Sequence, residues 1–351
     1  MRAVDATLTP AAPAATLEPR FGIEHGASWL PPLRRHLDDW ARVVGRKANE
    51  LVGKMTANGL GHYHVAEGLN VADIALESVA NLLAESGRSA RDVDLVIYCH
   101  TINSSVLGAP TSIPALIQQR FGMGNARGFS IAQQNCSSAV CAIRLVRSLM
   151  WRHANLDNVI VVSADKVHDE AWRNISYYAI QSDGGSALWL SRDAPRNVVG
   201  AIAYSHDARY YQGVAKSPAL SMQFSLNYAV NAHFMISQVM QQSGWALEDV
   251  EALLPMNANL TAFKQVVQML GLPLEKLYTR NIGEVGHVCC SDPIMNFLER
   301  FRRDPGTGNA ILFASSSSGI FSAIAIHASD TARRIVPPSD ARLARALPIS
   351  T

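Results

Sequence analysis

Short, nearly unbroken apolar runs alternate along this chain with longer stretches whose apolar residues recur every three to four positions. Asp94-Leu95-Val96-Ile97-Tyr98-Cys99, Asn158 to Ser163 and Ala310 to Ala314 are runs of the first kind. Continuous β-branched and apolar sequence predicts strands buried on both faces. Ala72 to Ala84 and Ser137 to Met150 are of the second kind and predict amphipathic helices. Strands alternating with helices predict α/β layers.

The pattern also repeats. Ser86-Gly87 follows a helical stretch and is itself followed by Asp92-Val93 and an apolar run. Ser243-Gly244 is followed at the same spacing by Asp249-Val250 and Glu251-Ala252-Leu253-Leu254. In each copy the Gly is a helix stop and the Asp-Val pair leads into a strand. The matching order predicts a duplicated unit. The polar stretch Ser191-Arg192-Asp193-Ala194-Pro195-Arg196 marks the boundary, so we expect one half over 21–197 and a second over 198–351.

Composition narrows the class. The 351 residues are 48% hydrophobic and 17% charged, enough for two domains or one fused pair. Formal net charge is +2, without blocks of like charge, so nothing points to nucleic acid. No apolar run reaches the ~20 residues needed to cross a bilayer. Residues 1–20, rich in Ala, Pro and Thr, lack a signal-peptide core and read as a partly disordered leader. Five cysteines, at 99, 136, 141, 289 and 290, are an odd number in a large chain, which fits a reducing cytoplasm better than a disulfide scaffold.

One cysteine has a setting with chemical meaning. Phe129-Ser130-Ile131-Ala132 leads through a polar turn to Cys136, flanked by the small Ser137, Ser138 and Ala139, and then to a helix carrying Val140, Ile143, Val146 and Leu149. A thiol at a helix N-terminus sees free N–H groups and the positive end of the helix dipole. Both favour a thiolate, the nucleophile of thioester exchange, and the same N–H groups can hold an oxyanion. A buried, inert thiol is the competing reading. It suits Cys141, more than a turn inside the helix.

Residues 283–293, GEVGHVCCSDP, supply possible partners. Gly283 and Gly286 bracket a loop that leaves His287 free to meet a nucleophile from elsewhere. Asp292 can orient the imidazole. Asp292-Pro293 is equally an N-cap and first-turn pair for the helix-like Ile294-Met295-Asn296-Phe297-Leu298, and the two roles are compatible. Cys289 and Cys290 read as packing residues.

These segments together resemble the thiolase superfamily, specifically ketoacyl-ACP synthase III and its relatives, from about Phe21 to Ala328. Cys136 in Gln134-Asn135-Cys136-Ser137-Ser138-Ala139 matches the family nucleophile. Ser182-Asp183-Gly184-Gly185-Ser186-Ala187 matches a DG-small-G-A segment. Pro255-Met256-Asn257-Ala258-Asn259-Leu260 matches Pro-His-Gln-Ala-Asn-Leu except at the His. Gly286-His287 keeps the Gly of a Gly-Asn loop and replaces the Asn. Ser315 to Gly319 corresponds to the strand-turn that lends an oxyanion N–H. The resemblance implies a thiolase-like fold of two duplicated αβαβα-type halves with a five-layer core. It also implies a homodimer and no permanent cofactor or metal. The substrate would be acyl-CoA or a phosphopantetheinyl acyl carrier protein.

The departures redirect the chemistry. Condensing members use a His and an Asn to stabilise the carbanion formed by decarboxylation. Met256 offers neither donor nor base at the first position, and His287 stands at the second. The remaining set, Cys136, His287 and Asp292, suits acyl transfer and resembles a divergent branch that moves acyl groups in natural-product pathways. The expected reaction moves an acyl group from its thioester carrier through Cys136 to a small-molecule hydroxyl or amine. The oxyanion would sit on N–H groups of Cys136 and Gly319. Two alternatives are a carbon–carbon-forming or polyketide-priming synthase using His287 alone, and a non-catalytic partner subunit.

Other positions carry smaller expectations. His100 and His168 are placed near the pocket, Met256, Asn257 and Asn259 on its wall, and Trp172 and Arg173 against a CoA or carrier arm. Ser104 to Pro114 falls at the family's dimer interface and pocket wall. Gly61-His62-Tyr63-His64 reads as a surface loop, since two histidines without further ligands do not make a metal site. No Walker-type phosphate loop is present.

Overall fold

A computed structural model describes residues 20–303 and 308–327 apart from 109, 193 and 195, and the backbone alone for 301–303. The expected leader, except Arg20, lies outside the described residues, as do Asp193 and Pro195 of the expected boundary and everything from Ala328 onward.

Nine strands join in one sheet among the described residues: β1 (Phe21–Trp29), β2 (Leu95–Cys99), β3 (Arg127–Ile131), β4 (Asn158–Asp165), β5 (Gly184–Arg192), β6 (Val198–His206), β7 (Val250–Leu254), β8 (Asn309–Ser316) and β9 (Ile320–His327). The main helices are α1 (Val71–Ser86), α2 (Ser138–Arg152), α3 (Pro218–Ser243), α4 (Leu260–Leu270) and α5 (Asp292–Arg303). The spatial order is β7-β8-β9-β6-β1-β5-β4-β2-β3. β1 and β6 meet through one register pair, Gly22 with Val198.

That order contains the same unit twice. β1 is antiparallel to β5, β5 to β4, and β4 is parallel to β2. β6 is antiparallel to β9, β9 to β8, and β8 is parallel to β7. Only β3 lacks a counterpart among the described residues. Helices fall at matching places: α1 and α3 after the first strand, α2 and α5 before the third. Gly87 and Gly244 end α1 and α3 in the left-handed conformation, with φ of 64° and 67°. We read the turn between β5 and β6 as the junction of the halves.

Alternation along each strand makes the layers, because successive side chains point to opposite faces. Ile97, Val161 and Leu188 pack inward with Val140, Ile143 and Val146 of α2, while Val96, Val162 and Trp189 pack outward with Ile74, Val79 and Leu82 of α1. In the second half Leu254, Leu312 and Ile324 join Ile294, Phe297 and Leu298 of α5 on the inner side, and Leu253, Phe313 and Phe321 join α3 and α4 outside. The result is five layers, with α2 and α5 in the middle. It is the α/β thiolase fold.

Two local expectations fail. His62–His64 is a short strand paired with Arg34–His36, and Tyr63 within it is fully buried, so it is no surface loop. Gly283 lies in a short helix, Arg280–Glu284, rather than in a loop.

Candidate active site

The middle layer brings the openings of α2 and α5 together. After β3 the chain turns through Asn135, at φ 49°, and a 3-10 turn over Asn135–Ser137 that leads directly into α2. Ser138 fixes this turn, its hydroxyl donating to the carbonyls of Ala132 and His100 at 2.9 and 3.1 Å. Asn135 Nδ2 donates to Ser318 Oγ at 2.8 Å, tying the turn to the β8–β9 hairpin. Cys136 is left 9% exposed at the start of the helix.

His287 arrives from the other half on a clamped backbone. Its N–H donates to Ile180 O at 2.8 Å, and its carbonyl accepts from Ser182 N at 2.9 Å. Gly286 beside it has φ 81°, and a Cβ there would sit 2.9 and 3.0 Å from the carbonyls of His62 and Ile180. Any side chain would displace the clamp, so glycine is required.

Cys136 Sγ lies 3.4 Å from His287 Nε2, and His287 Nδ1 lies 2.5 Å from Asp292 Oδ2. Because a carboxylate only accepts, Nδ1 carries the proton and Nε2 faces the thiol. Burial works against a charged imidazole. Asp292 and the Cys136 sulfur outweigh it, holding His287 well above the ordinary histidine value. Asp292 is fully buried and turns back toward the preceding loop. Its Oδ1 accepts from Val288 N at 2.6 Å and Asn257 Nδ2 at 3.2 Å, and its Oδ2 from Asn257 N at 2.7 Å.

The other expected positions divide. Met256 is 6% exposed, packs in the same cluster as Cys136, and its Sδ accepts from Ser315 N at 3.3 Å. His100 is buried beside the nucleophile turn with Nδ1 on Ile102 O, and burial lowers its pKa. His168 is at the surface with Nε2 on Ser104 O.

Four placements are corrected. Asn257 is 1% exposed with its amide spent on Gly286 O, Asp292 and Asn296, so it cannot also face a substrate. Asn259, at φ 49°, caps α4 through Ala262 N. Arg173 is 1% exposed and pairs with both oxygens of Asp183, at 3.0 and 3.1 Å, and with Glu170 at 2.8 Å, leaving no charge for a CoA phosphate. Gly319 donates its N–H to Ser316 O at 3.1 Å inside the hairpin, so that group does not serve an oxyanion. Trp172 is 65% exposed, its ring at the surface.

Among the remaining thiols, Cys289 and Cys290 are buried and their pKa values are driven well up by burial. Cys141 is half-buried rather than fully so, and burial raises its thiol to about 11. No group of three or more His, Cys, Asp or Glu among the described residues is arranged to hold a metal. No helix among them is long and apolar enough to cross a membrane. Sequence reasoning missed Asn296, whose Nδ2 donates at 2.9 Å to the side-chain oxygen of Asn257, the partner of Asp292. The available signal was a polar residue inside the apolar run Ile294 to Leu298.

Comparisons with known proteins agree with this fold. Residues 62–194 match the family described as FAE1/Type III polyketide synthase-like protein, and residues 240–328 match 3-oxoacyl-(acyl-carrier-protein) synthase III C terminal. The beta-ketoacyl-(acyl-carrier-protein) synthase III of Clostridium perfringens is 23% identical over 252 residues, covering 66% of this chain and 76% of that protein. Among solved structures, ChlB3, described as an acyltransferase, superposes with a TM-score of 0.78 at 17% identity, covering 90% of this chain and all of that one. The 3-oxoacyl-(acyl carrier protein) synthase III FabH of Pseudomonas aeruginosa superposes with a TM-score of 0.74 at 21% identity, covering 91% of this chain and 100% of that one.

Proposed function

Since the chain belongs to the thiolase-like ketoacyl-ACP synthase III family of enzymes, we propose that it is an acyltransferase of polyketide-type metabolism working through a Cys136 thioester. The observation that carries this reading is the contact line from Cys136 through His287 to Asp292, with Met256 packed in the same cluster at the position where the family resemblance implies a histidine in condensing members.

The thiolate of Cys136 attacks the carbonyl of an acyl-CoA or acyl-carrier-protein thioester. The tetrahedral oxyanion is met by the backbone N–H of Cys136 at the turn into α2. Its collapse breaks the carrier C–S bond, and the leaving thiolate takes the proton from the His287 imidazolium. Neutral His287 then accepts the proton of the acceptor hydroxyl or amine as that atom attacks the Cys136 thioester. Collapse forms the ester or amide and returns Cys136 as thiolate beside protonated His287. Asp292 holds the imidazole throughout and stabilises its charged form. No step needs a permanent cofactor.

Two further expectations keep their support. Among the described residues β3 pairs only with β2, its residues are largely exposed, and Phe129 is 37% exposed, so this edge is where a homodimer would form. All five cysteines are free, which suits a reducing cytoplasm.

A carbon–carbon-forming synthase is favoured by one observation, the name of the curated relative. The two readings part on malonyl thioester. We expect ester or amide formation with hydroxyl or amine acceptors and no carbon dioxide release from malonyl-CoA or malonyl carrier protein. Carbon dioxide release matching product formation would establish the synthase instead.

A further inference from the structure

Asp292 ends a line of side-chain amides that the transfer steps do not use. Its Oδ1 accepts from Asn257 Nδ2 at 3.2 Å. Asn257 Oδ1 accepts from Asn296 Nδ2 at 2.9 Å, and Asn296 Oδ1 accepts from Asn281 Nδ2 at 2.9 Å. The three asparagines are 1%, 1% and 2% exposed and come from three segments: the stretch after β7, the middle of α5, and the short helix Arg280–Glu284. A buried amide left unpaired is destabilising. Three in succession on the apolar side of α5 are therefore an arrangement to be explained.

The direction of this line is forced. A carboxylate can only accept, so Asn257 must present its NH2 to Asp292. Only its oxygen is then left for Asn296, which must present its own NH2, and Asn281 follows likewise. The second hydrogen of Asn257 goes to Gly286 O at 2.9 Å, and that of Asn296 to Pro255 O at 2.7 Å. Those two carbonyls belong to the residues just before His287 and Met256. Flipping any one amide sets oxygen against oxygen along the line. Asn281 closes it at a cleft of about 590 Å³ that it lines with Arg34, Glu284 and Glu299.

We infer that Asn257, Asn296 and Asn281 form a one-way amide chain that fixes the Asp292 carboxylate, and through it the aim of His287 at Cys136, with Asn296 as its central positioning residue. Fixed partners two bonds from the reacting atoms are what keep such a ring within productive geometry. This deepens the proposed function and rests on its assignment of His287 and Asp292.

The test reads Cys136 itself, so it does not depend on which acceptor chemistry is right. The pH profile of Cys136 alkylation by iodoacetamide is measured on the full-length protein. Other titratable groups interacting with this set are Asp165 of β4, Cys289 and Cys290, and Tyr228 of α3. Asn296→Asp keeps the shape and turns a donor into an acceptor. It should slow alkylation at neutral pH by about tenfold, the size of one hydrogen bond to a charged group, and shift the midpoint of the profile. In the Asp292→Asn background the same change should have almost no further effect, because its route is already cut. Should Asn296→Asp fail to fold, Asn281→Asp at the cleft end should give a smaller loss, about threefold, that likewise disappears in the Asp292→Asn background. A wild-type profile in a folded variant, or losses that multiply with Asp292→Asn, would overturn the inference. A His287→Ala variant with unchanged alkylation would instead overturn the assignment of the site.

Discussion

Two turns open the two helices of the middle layer, and they make a natural pair. Asn135–Ser137 precedes α2 and Cys289–Ser291 precedes α5, both 3-10 turns, with Asn135 at φ 49° and Cys289 at φ 53°. Both carry thiols. In the first, Cys136 faces the His287 imidazole at 3.4 Å. In the second, Cys290 Sγ faces the Asp165 carboxylate at 3.7 Å, and Cys289 Sγ faces the Gln181 side-chain oxygen at 3.7 Å. One turn sets a thiol against a cation and the other against acceptors. In the proposed reading, placement at a helix start is therefore not enough to make a nucleophile, and the group facing each thiol distinguishes Cys136 from Cys289 and Cys290.

The comparison breaks most readily at the thiols. Cys136→Ala should reduce turnover by on the order of 10⁴-fold or more, whereas Cys289→Ala and Cys290→Ala should retain it, as read by product formation. Equal losses would erase the distinction between the turns. Next in size, His287→Ala should cost about 10²–10⁴-fold in kcat/KM. It should also leave Cys136 as slow toward iodoacetamide as an ordinary thiol. Asp292→Asn should follow at about 10- to 100-fold, the scale of a lost charge-assisted hydrogen bond. Lost stability with normal turnover would leave Asp292 a structural helix-start residue only.

The smallest effect is on stability against pH, where the two turns act in different windows. Burial pushes Asp165 up to about 7, so between 3.8 and about 7 the unfolded chain loses that proton first and stability falls as pH rises. His287 is also raised, so its contribution is complete below 6.5 and is lost as pH climbs through its higher folded value. Denaturation midpoints across pH should lose the first slope in Asp165→Asn and the second in His287→Ala.

How much of this was legible depended on how local each feature is. The strands, the glycine stops of α1 and α3, and the opening of α2 follow from residues next to one another. The meeting of Cys136 with His287 joins positions 151 apart in the chain. It was foreseen only as two candidate segments and a family likeness. Arg173 was expected against a CoA or carrier arm, but its charge is spent inside the protein. The ion pair with Asp183 that buries it exists only once Ser182 and Asp183 have folded against the His62–His64 strand. Gly319 was expected as an oxyanion donor from the family resemblance of Ser315 to Gly319, while the hairpin sends its N–H to Ser316 O. The asparagine chain was illegible for a similar reason. Its members lie 15 and 39 residues apart, and the one local signal, a polar Asn296 inside the apolar run Ile294 to Leu298, does not name its partners.

The central claim is that the first turn, and not the second, carries the acyl group. Intact mass followed by peptide mapping, after the purified protein meets a panel of acyl-CoAs, tests it most directly. We expect one acyl adduct on the peptide bearing Cys136, absent from Cys136→Ala and released when a hydroxyl or amine acceptor is added. An adduct that persists in Cys136→Ala, or maps to Cys289 or Cys290, would contradict it.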